Sequence, residues 1–195
     1  MKKPLIVIFL VLLLDQFSKI LVKTTMKLKE SIIVFDDWFE INFIENDGMA
    51  FGWKFLESAW GTTILILFRI VAITLLFWLL IKLVKKGVKF GPLFGISLIL
   101  AGAIGNLIDG MFYGLIFDYA GFMQGKVVDM LHFPLFKFPE WVPWLHGEIF
   151  FSPVFNVADS AITIGIFYLV IFQWNFVRNF ESILEIKKQD NGERD

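Results

Sequence analysis

Phe155-Asn156-Val157-Ala158-Asp159-Ser160 stands at the head of an apolar stretch that runs over residues 154–177, and it sets a carboxylate inside a segment long enough to cross a bilayer. Such a crossing takes about 20 mostly apolar residues. An ionisable side chain within it costs several kcal/mol unless it is paired or faces water, so Asp159 reads as a functional residue. A second stretch, Val127-Val128-Asp129-Met130, carries another aspartate. Taken alone, Asp129 reads as a solvated charge in an exposed loop. Taken with Asp159, it suggests more. Carboxylates forced together cannot both ionise, so they share a proton, one serving as general base on a water and the other as acid. That is peptide-hydrolysis chemistry without metal or thiol.

Composition places this pair in a membrane. Of 195 residues, 57% are apolar and only 19% are charged, a balance rare in soluble domains. The 24 Phe and 7 Trp exceed what one small core needs and suit lipid-facing surfaces and headgroup belts. Cys is absent, which excludes disulfides, a thiol nucleophile and thiolate-bound metal. A formal net charge of −1 gives no reason to expect nucleic acid as a partner.

Working outward from the 154–177 stretch, residues 4–22, 62–83 and 90–108 are also long and apolar enough to span. The expected fold is a membrane all-α bundle of four transmembrane helices, forming a single integral membrane domain over residues 1–195. Lys2 and Lys3 precede the first span, Lys82, Lys85, Lys86 and Lys89 fill the link between the second and third, and Arg178, Lys187 and Lys188 follow the fourth. The positive-inside rule then puts both termini and the 178–195 tail in the cytoplasm, and the long connections 23–61 and 109–153 outside. Function is expected at the outer face. The basic start and apolar run of the first span resemble a secretion signal, but no small-residue cleavage site follows, which predicts an uncleaved helix.

Polar residues gather at the outer ends of these spans. Asp15 and Lys19 are four apart on one helical face, and Asp15 lies roughly 17 Å in at about 1.5 Å per residue. In 23–61, Phe39, Ile41 and Phe43 alternate with Glu40 and Asn42 after the run Ile32-Ile33-Val34-Phe35, which predicts a small extracytoplasmic β-sheet. It leads into Glu45-Asn46-Asp47-Gly48-Met49-Ala50-Phe51-Gly52, whose Asn and Gly tolerate turn conformations. The third span carries Ala101-Gly102-Ala103-Ile104-Gly105-Asn106, small residues that let another backbone approach, with Asp109 three beyond Asn106. Asn156 and Asp159 repeat that spacing in the fourth span. Interhelical packing with polar caps would explain any one cluster; convergence at one depth favours a catalytic or transport site.

Taken together, Asp15-Gln16-Phe17-Ser18-Lys19, Asn46-Asp47-Gly48-Met49-Ala50-Phe51, Gly105-Asn106-Leu107-Ile108-Asp109, Val127-Val128-Asp129 and Phe155-Asn156-Val157-Ala158-Asp159-Ser160 resemble bacterial lipoprotein signal peptidase, also called signal peptidase II. The order and the topology match across nearly the whole chain. The resemblance implies an inner-membrane aspartic endopeptidase that removes the signal peptide from diacylglyceryl-modified prolipoproteins, cutting just before the lipidated cysteine. It implies no metal or other cofactor. It also implies membrane lipid as surroundings and globomycin-type cyclic peptides as inhibitors, with nothing demanding more than a monomer. Residue by residue, Asp129 and Asp159 resemble the catalytic pair, while Asp15, Lys19, Asn46, Gly48, Asn106, Asp109, Asn156 and Ala158 match positions that shape or support the site.

Two departures stand out. Where the family usually has Arg directly after the third-span aspartate, this chain has Gly110, and Arg69 in the second span is the candidate stand-in, with snorkelling to the headgroups as the alternative. The stretch between Asp129 and Asp159 is longer than usual and holds Leu131-His132-Phe133-Pro134, Trp141-Val142-Pro143-Trp144 and Phe150-Phe151, which reads as an interfacial loop or helix able to cover the substrate. His132 and His146 match no helical metal-ligand spacing. The competing readings are a proton or cation transporter built on Asp15, Asp109 and Asp159, a metal-dependent hydrolase, and a non-catalytic scaffold. No repeated halves with interrupted helices support transport.

Overall fold

The computed structural model describes residues 1–36, 38–46, 59–139, 141–142, 144 and 147–185. Helix α1 (Lys2–Thr25) is inside out by the standards of a soluble protein: Phe9, Leu13, Leu14 and Phe17 face outward, whereas Asp15 and Lys19 are fully buried. A helix exposing its apolar side chains is stable only where the solvent is hydrocarbon. Helix α2 (Ala59–Lys85) follows the same pattern, with Phe68, Val71, Leu75 and Trp78 exposed.

Helix α3 (Phe90–Ile108) is the hub, packed against α1, α2 and α5 (Val157–Phe172). Its closest neighbour is α5. A Cβ added at Gly102 would fall 2.2 Å from the Ala158 carbonyl oxygen, so only glycine admits this approach. Ile8, Leu80, Leu83, Leu93, Ile96 and Leu100 form the apolar centre away from the carboxylates. Past Ile108 the chain continues through one π-helical turn, Asp109–Tyr113, into the short α4 (Gly114–Ile116).

The small antiparallel sheet expected after the first span is present and larger than expected. β1 (Ser31–Phe35) and β2 (Phe39–Asn46) pair antiparallel, β2 pairs with β3 (Val127–His132), and β3 with β6 (Val154–Phe155), in the order β1-β2-β3-β6. β4 (Phe136–Lys137) and β5 (Ile149–Phe150) form a separate two-stranded hairpin within the long 133–153 connection. Val22, Phe43, Tyr113, Val128 and Met130 seal the sheet onto the bundle.

One expectation needs correction and another is met in part. Asp129 is not on an exposed loop: it lies on the interior strand β3 and is 3% exposed. The nearly unbroken run Val127-Val128-Asp129-Met130-Leu131 is that of a strand covered on both faces. Of the four expected spans, three are helices long and apolar enough to cross a bilayer among the described residues, over Lys2–Thr25, Gly61–Lys85 and Phe90–Ile116, and the fourth stretch holds a shorter apolar helix. In the stretch 154–177, Val154 and Phe155 belong to β6, so the helix begins only at Val157. It breaks at Gln173, leaving the 16-residue α5 followed by α6 (Trp174–Arg178) and α7 (Phe180–Glu185).

Candidate active site

Each polar cluster reaches the site through a different element. Asn156 caps α5: its side-chain carbonyl accepts from the Asp159 N–H at 2.9 Å, and the Asp159 carboxylate reaches back to the Asn156 N–H at 3.3 Å. This reciprocal box satisfies two otherwise orphaned backbone donors and fixes Asp159 on the first turn. The Asn156 amide is left to point at neighbours. It donates to Asp129 Oδ1 at 2.7 Å and lies 3.2 Å from Asn106 Oδ1. From α3, the Asn106 amide donates to Asp159 Oδ1 at 2.7 Å. From the end of β2, Asn46 donates to Asp129 Oδ2 at 3.1 Å.

Asp129 and Asp159 thus hang on one scaffold of amides from β2, α3 and the α5 cap. Burial and the nearby Asp159 charge push the Asp129 carboxyl up to about 7, against the downward pull of its bonds to Asn46 and Asn156. Asp129 therefore keeps its proton to higher pH than an ordinary carboxyl does.

Behind this pair sits a second network. Lys19 is fully buried, with Nζ 2.9 Å from Asp15 Oδ2, 2.8 Å from Asp109 Oδ2 and 3.0 Å from Asn106 Oδ1. Its three protons have three acceptors, the arrangement that makes a buried ammonium tolerable. Asp15 Oδ1 accepts the Ala158 N–H at 2.8 Å, which ties α1 to the start of α5. Asp109 Oδ2 lies 3.4 Å from the Val128 N–H and so links the π-helical turn after α3 to β3.

Gln16 escaped the sequence reading although it stands beside Asp15. Its amide donates to Asp109 Oδ1 at 2.9 Å and to Asp15 Oδ2 at 3.1 Å, and its carbonyl accepts from the Tyr113 hydroxyl at 3.2 Å. The available signal was a Gln in the middle of an apolar span. Gly105 also matters sterically, because a Cβ there would stand 2.5 Å from Asp15 Oδ2.

The model of the family described as "Signal peptidase (SPase) II" matches residues 7–175, a range that includes every one of these groups. The chain belongs to the signal peptidase II family. A lipoprotein signal peptidase of Porphyromonas gingivalis is 43% identical over 201 residues, covering 93% of this chain and 85% of that one. Another, from Amoebophilus asiaticus, is 35% identical over 174 residues, covering 83% and 73%. Among solved structures, a bacterial membrane enzyme determined by the in meso method at 2.3 Å superposes with a TM-score of 0.64 at 23% identity, covering 100% of this chain and 96% of that one. A second, at 1.9 Å, gives 0.60 at 27% identity over 89% and 93%. Membership makes this chain a membrane-embedded protease of lipoprotein maturation, acting in signal peptide removal.

In this peptidase, Asp15, Lys19, Asn46, Asn106, Asp109, Asp129, Asn156, Ala158 and Asp159 are joined by the bonds given above. Gly48 lies outside the described residues, as does His146. His132 is not in that network. It pairs through Nδ1 with Glu40 on the neighbouring strand, and the Ser31 hydroxyl together with that pairing holds the Glu40 carboxyl below its ordinary value. Arg69 is half-buried on α2, within electrostatic reach of Asp159, Asp109 and Asp129. A Cβ added at Gly110 would lie 3.9 Å from Arg69 Nη1 and 3.2 Å from Ile66 Cδ1.

Proposed function

We propose that this peptidase is a metal-free aspartic endopeptidase in which Asp129 and Asp159 act as one acid/base pair. Its substrates are diacylglyceryl-modified prolipoproteins, cleaved just before the lipidated cysteine. The observation that carries the reading is the shared scaffold: Asn156 bonds Asp129 Oδ1 through its amide and the Asp159 N–H through its carbonyl. One side chain thereby ties the Asp129 carboxylate to the helical turn that carries Asp159.

Chemistry follows from the two protonation states. With Asp129 holding the shared proton, ionised Asp159 removes a proton from a water as its oxygen attacks the scissile carbonyl carbon. Asp129 gives its proton to the carbonyl oxygen, which leaves a neutral gem-diol and moves the proton to Asp159. Asp159 then protonates the departing amide nitrogen as the C–N bond breaks, and Asp129 takes a hydroxyl proton as the carboxylic acid forms. The pair ends in the state in which it began. Asp15, Lys19, Asn106, Asp109, Asn156 and Ala158 act as positioning residues through the bonds described.

Arg69 supplies the positive partner that the chain lacks at Gly110, and the closeness of its guanidinium to that position supports this. Processing lost in Arg69→Ala and kept in Arg69→Lys fits a charge role. Normal processing in both would sink it. Further parts of the reading are a fourth crossing made by α5 and α6 together, both termini cytoplasmic, the site near the outer face of the bacterial inner membrane, inhibition by globomycin-type cyclic peptides, and a monomeric enzyme.

The deciding assay is cleavage of a diacylglyceryl-modified prolipoprotein by purified wild type, Asp129→Asn and Asp159→Asn in detergent with chelator present. Wild type cleaves, and each folded variant loses about 10²- to 10⁴-fold, the usual weight of a general acid or base. Cleavage by both variants at the wild-type rate would remove catalysis from this pair. Wild-type inactivity caused by chelator alone would move the mechanism to a metal.

A further inference from the structure

The far end of the bundle carries a second concave site, about 20 Å along α3 from Asn106 at about 1.5 Å per residue. Helix α2 ends at Lys85 and α3 begins at Phe90, so a short turn connects two apolar spans. Its position follows from its neighbours: the ends of two spanning helices lie at headgroup level. Lys82 and Lys85 from the end of α2, with Lys86 and Lys89 from this turn, help line a cavity of about 950 Å³. Among the described residues that line it, none is acidic.

The lysines are not equivalent. Lys86 donates to the carbonyls of Ile183 at 2.6 Å and Leu184 at 2.8 Å, which holds α7 in place as the opposite wall. Lys82 lies over the Trp78 ring at 5.0 Å. Lys85 and Lys89 are exposed at the rim. Deeper in, the walls are apolar: Val88, Pro92, Phe176, Ile183 and Leu184. Ammonium groups at the rim and hydrocarbon on the walls complement a molecule with an anionic head and an apolar tail.

The geometry points to a binding site for an anionic phospholipid of the surrounding bilayer. Its phosphate lies between Lys82, Lys85 and Lys89, and its glycerol and upper acyl chain lie against Phe176, Ile183 and Leu184. Basic pockets between membrane helices recognise such headgroups by charge and depth, each lysine contributing a several-fold preference. The site is separate from the carboxylate network and does not depend on the peptidase mechanism.

The test uses full-length protein in detergent, supplied with equal amounts of phosphatidylglycerol and phosphatidylcholine, with retained lipid counted by native mass spectrometry. Wild type retains phosphatidylglycerol on the order of tenfold over phosphatidylcholine. The preference falls to near unity in Lys85→Gln/Lys89→Gln, whose side chains are exposed, and survives in Lys27→Gln/Lys29→Gln at the other end of the bundle. Equal retention of the two lipids by wild type overturns the proposal, and so does equal loss in both double variants. Inorganic phosphate alone leaves the melting temperature unchanged. If it protects as well as phosphatidylglycerol does, the site belongs to a soluble anion and the lipid assignment is wrong.

Discussion

The two ends of this bundle hold charge in opposite ways. At one end Asp15, Lys19, Asp109 and Asp129 are buried, and each is fixed by named partners on other elements. At the other end, four lysines help line an open cavity, and three of them, Lys85, Lys86 and Lys89, are exposed. Buried charge must be satisfied in one geometry, so it specifies structure; charge at the boundary can find partners in water or lipid, so it specifies surroundings. A substitution at the first end should therefore disturb fold and chemistry together, and one at the second should show only when the lipid changes.

The largest break in this contrast is Lys19→Met. It leaves Asp15 and Asp109 buried without their common cation, and breaking a buried ionic group by removing one partner costs about 3–5 kcal/mol. Thermal unfolding in micelles should register that loss, and Lys19→Met/Asp15→Asn should recover part of it. A Lys19→Met protein as stable as wild type would mean that the two carboxylates protonate at little cost.

Next comes a change of opposite sign. Asp129 is raised from 3.8 to about 7, so between those values the native state binds a proton that the unfolded state has lost. Its stability therefore declines as pH rises from about 4 to about 7 and is lowest above that window. Asp129→Asn abolishes the slope and stabilises the protein at pH 8 by up to about 4 kcal/mol, less the bond to Asn46 or Asn156 that an amide cannot accept. The same titration predicts that wild-type kcat/KM falls above pH about 7, as the second proton leaves the pair. A variant that is more stable and inactive would mark Asp129 as a residue kept for chemistry. A flat wild-type profile through pH 9 would contradict the shared proton.

How much of this could be read in the sequence depended on whether a residue's partners were near in the chain. The Asp15 and Lys19 pairing is one helical turn apart and was legible, as was the alternation that builds β2. Asp159 stood out because an apolar span surrounds it. Asp129 did not, because its partners come from β2 and the α5 cap, which the run 127–131 cannot announce by itself. Gln16 was passed over for the same reason, its value lying in Asp109 and Tyr113, over ninety residues away. The fourth apolar stretch was legible only in part, because hydropathy does not register the β6 pairing before Val157 or the break at Gln173.

A smaller effect tests packing rather than charge. Gly102→Ala would set a methyl 2.2 Å from the Ala158 carbonyl and 2.7 Å from Ile162 Cγ1. Backbone cannot yield there without moving α5 away from α3, an overpacking cost of about 1–3 kcal/mol. Because Asn106 and Asn156 sit on those two elements, activity should fall further than stability implies, and the ratio separates a site that tolerates looseness from one that does not.

The smallest effect belongs to the basic end. In purely zwitterionic micelles, Lys85→Gln/Lys89→Gln should unfold within about 0.5 kcal/mol of wild type, because solvated surface charges contribute little. The cleavage rate should not change either, since neither side chain approaches the carboxylate network. Had these lysines been structural in the way Lys19 is, their loss would destabilise the protein in any micelle. A deficit above about 1 kcal/mol without anionic lipid would mean that both ends of the bundle hold charge by the same rule.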